Sequence, residues 1–385
     1  MFKLISIIRS TVEQRKGWRR LADGVETMIE MTTAQPVRHP SPTVKAERLA
    51  FLIFERPDLD RAVRFLVDFG LQVCFRSEEM VLLRGAMQAP YCYRLQRGRT
   101  ARFIGFGFEV SSSDQLRLLA DTVPGASAVE PIPDPAGGRR VVLTDPSGFR
   151  VEVVHGQALE PALAHRNPLP LNFNGEAVRI DQTQRPPVQP PEVLRLGHVV
   201  LEVADYQQTS GWYCAHLGLI PSDVLLLPDG SPAVAFLRLD LGDQPADHHT
   251  LALAQGFAPL YSHSAFEVVD TDAIGMGQRV LHERGWRHAW GVGRHILGSQ
   301  IFDYWQDAWG DKHEHYCDGD LFTSDRPTGF HPATREAMSQ WGQKMPASFT
   351  RPKMDLPAVA ALVRNVRRSP DLSVRKLITL ARLFG

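Results

Sequence analysis

Two histidines and one glutamate of this 385-residue chain are candidate ligands of a metal ion. They are His198, His263 and Glu314. Two imidazoles and one carboxylate can bind one face of an Fe(II) ion and leave its other positions open to substrate and oxygen, as in the facial triad of non-haem iron oxygenases. The three residues are far apart in the sequence, so the prediction depends on the elements that carry them.

A five-residue pattern that occurs four times places the two histidines at equivalent positions. The copies are 51–55 (FLIFE), 105–109 (GFGFE), 198–202 (HVVLE) and 263–267 (HSAFE). Because side chains alternate between the two faces of a strand, the first residue of every copy points the same way relative to its strand. A lone histidine in a strand is more often a core residue, but two at equivalent positions favour a shared function.

Each copy of the pattern begins a similar series of elements. A helical apolar period follows the copy, as at 59–66 and 206–219, and strand-like runs such as 234–239 and 250–254 complete the unit. We therefore predict an α+β fold of four strand-helix-strand-strand-strand (βαβββ) units. The units pair into two tandem modules, and each pair forms a funnel-like curved sheet.

The ends of the two modules also match. Residues 145–152 (DPSGFRVE) close the first module and residues 307–314 (DAWGDKHE) close the second, each a turn with glycine at its fourth residue and glutamate four residues later. The first module has Phe51, Gly105 and Glu152 at the three ligand positions. It cannot form the same site, and we expect it to serve as a scaffold.

Composition divides the rest of the chain. We predict five segments: an N-terminal extension at 1–46, a module without metal at 47–157, a proline-rich linker at 158–193, the catalytic module at 194–322 and a basic helical tail at 323–385. Two interpretations of the extension stay open: an ordered helical arm, or upstream sequence with the natural start near Met31. We expect the tail to pack on its own subunit or on a neighbouring one.

The totals exclude several classes of function. The chain has 43 basic and 43 acidic residues, so no electrostatic basis exists for a nucleic-acid partner. Four scattered cysteines argue against a disulfide framework and favour a reducing, cytoplasmic location. No stretch approaches the roughly 18 apolar residues that a membrane span needs. The sequence also has neither a His-Glu-x-x-His motif nor a glycine-rich nucleotide loop.

The second module resembles type I extradiol ring-cleaving dioxygenases, the group of catechol 2,3-dioxygenases and dihydroxybiphenyl dioxygenases in the vicinal oxygen chelate superfamily. The resemblance covers residues 48 to about 320, both modules included. It implies that the three candidate ligands hold Fe(II), with Mn(II) as the alternative ion. It also implies three acid-base residues: His249 in the run DHHTLA, His295 nine residues before a tyrosine, and that tyrosine, Tyr304.

The resemblance also implies an activity. An enzyme of this family cleaves a substituted catechol next to its diol with O2 and gives a hydroxymuconic semialdehyde-type product. His295 and Tyr304 would hold the two substrate oxygens, and His249 would stabilise the negative charge that oxygen gains and later donate a proton. Oligomers are usual in the family, so we expect a homo-oligomer.

Local geometry predicts three contacts with the substrate ring. Val200 and Leu297 each lie two residues beyond a candidate site histidine and share its face if the strands are regular. Phe257 follows in the short loop after the strand of His249. Alternation allows only one of His248 and His249 to face the metal, and the resemblance favours His249.

The main alternative is an isomerase or lyase of the same superfamily, similar to glyoxalase I. Such enzymes generally take four protein ligands and need no oxygen, and His249 could be the fourth ligand. His295 and Tyr304 favour the dioxygenase, because an isomerase has no need of them. A binding protein on the same fold is a third interpretation, against which the six polar site residues argue.

Overall fold

The computed structural model of the protein describes residues 17–20, 26–29, 35–350 and 356–384. The helices of this part of the chain are α1 (Leu59–Asp68), α2 (Ser113–Thr122), α3 (Tyr206–Leu217), α4 (Thr271–Glu283), α5 (Ala347–Thr350), α6 (Leu356–Arg368) and α7 (Val374–Phe384). None of these described helices is long and apolar enough to cross a membrane.

The strands belong to the N-terminal segment, the first module, the second module and the tail. Those of the N-terminal segment and the first module are β1 (Gly17–Arg20), β2 (Glu26–Ile29), β3 (Arg48–Arg56), β4 (Gln72–Arg76), β5 (Met80–Arg84), β6 (Tyr93–Arg97), β7 (Arg102–Glu109), β8 (Glu130–Pro131), β9 (Arg139–Thr144) and β10 (Arg150–His155). Those of the second module and the tail are β11 (Val193–Val203), β12 (Ile220–Leu226), β13 (Pro232–Arg238), β14 (Ala246–Asp247), β15 (Leu251–Gln255), β16 (Leu260–Val268), β17 (Arg287–Arg294), β18 (Ile301–Gln306), β19 (Lys312–Cys317), β20 (Leu321–Phe322), β21 (Gly329–Pro332) and β22 (Trp341–Gly342).

The first module is built on one eight-stranded sheet. Its order is β4-β5-β6-β3-β7-β10-β9-β8. The central strands β3 and β7 are antiparallel, and each has a parallel neighbour on its other side, β6 or β10. The units β3-α1-β4-β5-β6 and β7-α2-β8-β9-β10 are therefore the two halves of this sheet.

The second module repeats that arrangement in a ten-stranded sheet. Its order is β21-β12-β13-β15-β11-β16-β19-β18-β17-β22. Without the two edge strands, this is the order of the first sheet, with β11 and β16 antiparallel at the centre and β15 and β19 as their parallel neighbours. The prediction of an α+β fold with four βαβββ units in two tandem modules is confirmed.

Local sequence explains where the helices begin and end. The side chains of Asp58, Ser112 and Asp270 precede α1, α2 and α4 and each accepts a hydrogen bond from a backbone N–H of the first turn. Helix α3 ends at Gly218, whose φ of 70° lies in the left-handed region that glycine adopts without steric cost. These caps fix the angle at which each helix returns to its sheet.

The terminal segments differ in part from their predicted character. Strands β21 and β22 extend the second sheet at its two edges, although the sequence assigned them to a helical tail. Within the predicted N-terminal extension, β1 and β2 form an antiparallel pair, which does not fit the helical-arm interpretation. Residues 1–16 of that extension lie outside the described residues.

The two modules are joined by buried polar contacts. The guanidinium of Arg56 in the first module is 2.8 Å from Asp307 Oδ2 and 2.6 Å from Asp311 Oδ2 in the second. The hydroxyl of Tyr93 is 3.1 Å from Nε2 of His313. His313 flanks Glu314 in β19 and points away from it into the first module, as strand alternation predicts.

Candidate metal centre

The structure brings His198, His263 and Glu314 together. One ligand atom from each residue lies within 4.8 Å of the other two. The Nε2 atoms of His198 and His263 are 3.3 and 3.5 Å from Glu314 Oε2. Two ligand atoms at right angles about an ion, each about 2.1 Å from it, lie about 3 Å apart, so these distances fit one shared ion. Among the described residues, no second cluster of this kind occurs.

Three adjacent strands at the centre of the second sheet carry these side chains. His198 lies on β11, His263 on β16 and Glu314 on β19, and the strands are neighbours in that order. A register shift in the β11–β16 ladder leaves Ser262 without a partner opposite. Such bulges bend a strand and re-aim its side chains, here immediately beside His263.

The charge states of Glu314 and His263 suit a metal. Both carboxylate oxygens of Glu314 are buried and accept no hydrogen bond from the described residues. Burial works to raise the pKa of Glu314, but the nearby His198 and His295 outweigh it and hold that pKa below its usual range. Burial also lowers the pKa of His263, which stays neutral. A charged carboxylate and neutral imidazoles form the donor set that a first-row divalent ion requires.

His295 and Tyr304 stand together beside the triad. The Nε2 atom of His295 is 3.0 Å from the Tyr304 hydroxyl and 3.6 Å from Glu314 Oε1. The Nδ1–H of His295 donates to the backbone carbonyl of Met338 over 2.7 Å. With the hydrogen on Nδ1, the Nε2 atom is the acceptor of the ring, and the Tyr304 hydroxyl donates to it. Burial raises the pKa of Tyr304, so the phenol keeps its proton in the free protein.

His249 lies next to His198 of the triad. Its ring centre is 4.0 Å from that of His198, and it lines the same cavity. It is outside the cluster of ligand atoms that converge on Glu314. His248 and His249 precede β15 and lie outside regular strand, so their opposite directions come from the local turn and not from strand alternation. His248 turns away from the cavity, and its Nε2 is 2.7 Å from Asp223 Oδ2.

Known proteins similar to this chain point to one family. Residues 195–310 match the Glyoxalase/Bleomycin resistance protein/Dioxygenase superfamily. Metapyrocatechase 2 of Cupriavidus necator is 33% identical over 305 residues, which cover 77% of this chain and 89% of that relative. This chain belongs to the extradiol ring-cleaving dioxygenases. An iron-dependent extradiol dioxygenase of Rhodococcus jostii strain RHA1 is 28% identical over 233 residues, 55% of this chain and 69% of that protein.

A solved structure supports the fold of this extradiol dioxygenase. The Mn(II)-bound glyoxalase from Novosphingobium aromaticivorans superposes with a TM-score of 0.67 at 21% identity, over 81% of this chain and 96% of that one. At this identity the likeness concerns the fold alone. The predictions of the vicinal oxygen chelate fold and of a ring-cleaving enzyme are both confirmed.

His198 and His263 of this dioxygenase line a cavity of about 480 Å³. Val200, Phe257 and Leu297, the three predicted ring contacts, all line it. Most of the remaining wall is apolar, and part of it comes from the tail. The tail residues in the wall are Ala337, Met338, Met345, Phe349, Thr350, Leu362, Leu377, Leu380 and Ala381.

Sequence reasoning missed two features of this wall. The apolar faces of α6 and α7 were visible as periodic patterns, but periodicity does not say which surface a helix covers. Glu202, the last residue of the third pattern copy, also lines the cavity. Burial raises the pKa of Glu202, and Lys312 acts in the opposite direction. The sequence signal for Glu202 was its place four residues after His198.

Proposed function

We propose that His198, His263 and Glu314 hold an Fe(II) ion and that the enzyme uses O2 to cleave a catechol with an apolar substituent next to its diol. The product is of the hydroxymuconic semialdehyde type. The observation that carries the proposal is the convergence of the three ligand atoms beside a cavity that is lined by His198, His263 and the three predicted acid-base side chains. When bound, an ion held by three ligands would supply adjacent open positions for diol and dioxygen.

Iron is the ion that the similarities favour. The relative from Rhodococcus jostii is named as an iron-dependent enzyme. The ligand types alone serve Mn(II) as well as Fe(II). Activity after loading with either ion therefore has to be compared directly.

His295 and Tyr304 are proposed to orient and deprotonate the substrate. His295 presents its Nε2 lone pair because its Nδ1–H is held by a backbone carbonyl. That atom can accept a proton from one catechol hydroxyl, and the Tyr304 hydroxyl, 3.0 Å away, can hydrogen bond to the resulting oxygen. General acid-base assistance of this kind contributes typically about 10²- to 10⁴-fold to a rate.

His249 is proposed to act on the opposite face of the substrate. It is buried, and burial with the neighbouring His198 and His248 lowers its pKa well below the usual value, so it starts neutral. A neutral imidazole can take up a proton from the substrate and return it where negative charge develops. Its place beside His198 supports this role.

The wall of the cavity favours an apolar substituent. Among its described residues there is neither lysine nor arginine, so no cation is present to pair with a substrate carboxylate. An unpaired charge is costly to bury. Leu225, Leu297 and Leu377 instead offer apolar contact.

Oxygen uptake tests the proposal. Protein loaded anaerobically with Fe(II), and separately with Mn(II), is given catechols that carry alkyl, aryl or carboxylate substituents. We expect one O2 consumed per catechol, a yellow ring-fission product, and kcat/KM at least about tenfold lower for the carboxylates. The absence of oxygen uptake with every catechol would overturn the proposed reaction.

A further inference from the structure

A chain of hydrogen-bonded side chains leads from the surface to His249. The Nε2 atom of His331 is 2.7 Å from Asp223 Oδ1, and the Nε2 atom of His248 is 2.7 Å from Asp223 Oδ2. The Nδ1 atoms of His248 and His249 are 3.0 Å apart. The side chain of His331 is 42% exposed, whereas His248 and His249 are buried. Of these four side chains, only His249 has a role in the proposed reaction.

Asp223 determines which nitrogen of His248 carries a hydrogen. Burial works to raise the pKa of Asp223, but the hydrogen bonds from His248 and His331 outweigh it and lower that pKa to about 2. The carboxylate is thus ionised at neutral pH and can only accept, so His248 Nε2–H donates to it. A neutral His248 then has its lone pair on Nδ1. The 3.0 Å contact requires His249 Nδ1–H to donate to that lone pair.

We propose that Asp223 and His248 are positioning residues that fix the tautomer and orientation of His249, with Nδ1–H directed at His248 and Nε2 facing the cavity as an acceptor. The inference rests on the proposed function, because it gives His249 its part in the reaction. A carboxylate that orients a catalytic imidazole through its second nitrogen also stabilises the imidazolium that forms. Here His248 stands between the two and transmits both effects.

Two glycines, Gly298 and Gly329, leave room in the backbone for these hydrogen-bonded side chains. A Cβ on Gly298, whose φ is +85°, would lie 3.1 Å from His248 Nδ1. A Cβ on Gly329 would lie 2.0 Å from Asp223 Oδ1 and 2.8 Å from His331 Nε2. Close approach of this kind is one of the uses of glycine. A side chain at either position would displace a member of the chain.

Apolar rings and an edge strand complete the surroundings. The rings of Phe236 and Phe322 each lie 5.4 Å from the ring of His248 and restrict its rotation. Asp223 lies on β12, and His331 lies on β21, which pairs with β12 in parallel. The tail thus contributes His331 as the outer hydrogen-bond partner of Asp223.

The tautomer can be measured without turnover. In metal-free protein labelled with ¹⁵N-histidine, we expect His249 to show a protonated Nδ1 and an unprotonated Nε2. His248→Phe keeps a ring between the two phenylalanines but removes the acceptor, so this signature should be lost. His248→Gln should restore it, because the amide oxygen accepts from His249 and the amide nitrogen donates to Asp223. His331→Gln is the control that leaves the inner contacts in place.

Turnover of Fe(II)-loaded variants gives the second readout. We expect His248→Phe to lower kcat by about 10- to 100-fold with KM nearly unchanged, and His248→Gln to recover most of the loss. An unprotonated Nδ1 on His249 in the wild type, or equal kcat for the two variants, would overturn the proposal. Absence of oxygen uptake by the wild type contradicts the proposed function instead and leaves the tautomer result standing.

A second variant keeps the test decisive if His248→Phe does not fold. The Cβ that Gly329→Ala adds would lie 2.0 Å from Asp223 Oδ1 and displace that carboxylate, while the His248 side chain itself is unchanged in composition. We expect Gly329→Ala to lose the ¹⁵N signature of a protonated Nδ1 on His249 and to show the same fall in kcat as His248→Phe. A native signature and native kcat in this variant would contradict the positioning role of Asp223.

Discussion

At the level of single residues, the site contains one ionised carboxylate, Glu314, and two histidine rings that are neutral, His249 and His263. Glu314 stays ionised although it is buried, because two histidines face its oxygens. Burial keeps His249 and His263 neutral by lowering their pKa values. A metal ion competes with protons for imidazole nitrogen. The His263 ring, which binds protons weakly, is therefore ready to bind an ion at neutral pH.

Tyr304→Phe tests the acid-base assignment. The change removes the hydroxyl that is 3.0 Å from His295 Nε2 and keeps the ring that stacks on Trp290. We expect kcat/KM for oxygen uptake to fall about 10²-fold or more, with unchanged metal content. Tyr206→Phe is a matched control, because its buried hydroxyl has no hydrogen-bond partner among the described residues. Equal losses in the two variants would contradict the assignment.

Asp223→Asn tests the charge of the carboxylate next to His248. The folded pKa of Asp223 is about 2 against an ordinary 3.8, so its stabilisation is complete above pH 4 and is lost as the pH falls toward 2. We expect the wild type to have a higher free energy of unfolding in urea than the variant at pH 6. At pH 3 we expect this advantage to be about 1 kcal/mol smaller. A difference that does not change with pH would show that Asp223 is not the group that titrates.

The sequence predicts the site residues better than it predicts their partners. The pattern that opens with His198 and His263 identifies both, because the duplicated units place them at one structural position. Asp223 and His331 carry no such signal. Asp223 meets His248 across 25 positions of sequence and His331 across 108, and only the folded sheet brings these residues together.

At the level of elements, α7 closes the apolar end of the cavity. Leu377, Leu380 and Ala381 of this helix line the cavity. Leu380 also packs against the cluster around Leu225 and Ala333. The helix therefore contributes to the cavity wall and packs against the second sheet there.

Leu380→Glu tests the wall formed by α7. A charge buried in an apolar wall is costly, so we expect KM for an alkyl or aryl catechol to rise about tenfold or more, with a smaller change in kcat. Ile378→Glu on the same helix is the matched control, because Ile378 is 47% exposed. If both variants give the same KM, α7 does not contribute to substrate binding.

Helices and strands with a clear apolar period can be predicted from the sequence, and those without one cannot. The helices α1, α4, α6 and α7 follow the apolar spacing of the sequence, whereas the buried face of α3 includes Thr209 and Ser210. The short strands β21 and β22 have four and two residues, too few for a period, and each forms only by pairing with an edge of the second sheet. Their position was therefore hidden from sequence patterns.

At the level of the whole molecule, the duplication explains why a module without ligands is kept. The first module has Glu152 at the position of Glu314, but Arg94 and Arg140 pair with that carboxylate and occupy the site of a metal. The first module also contacts the second module through buried polar groups. Arg56 provides the most buried charge in that contact.

Arg56→Leu tests the coupling between modules. Removing one partner of a buried ion pair leaves the other charge uncompensated, here Asp307, and typically costs about 3 to 5 kcal/mol. We expect a loss of that size in the free energy of unfolding, measured with urea. Arg64→Leu on the exposed face of α1 should change it by less than about 0.5 kcal/mol. Similar values for the two variants would show that the contact does not stabilise the fold.

Metal retention by single variants tests the central claim most directly. Each protein is loaded anaerobically with Fe(II), passed over a desalting column and analysed for bound iron. We expect the wild type and His249→Ala to keep one ion per chain, and His198→Ala, His263→Ala and Glu314→Ala to lose it. Retention of iron by Glu314→Ala, or its loss from His249→Ala, would contradict a three-ligand centre made by His198, His263 and Glu314.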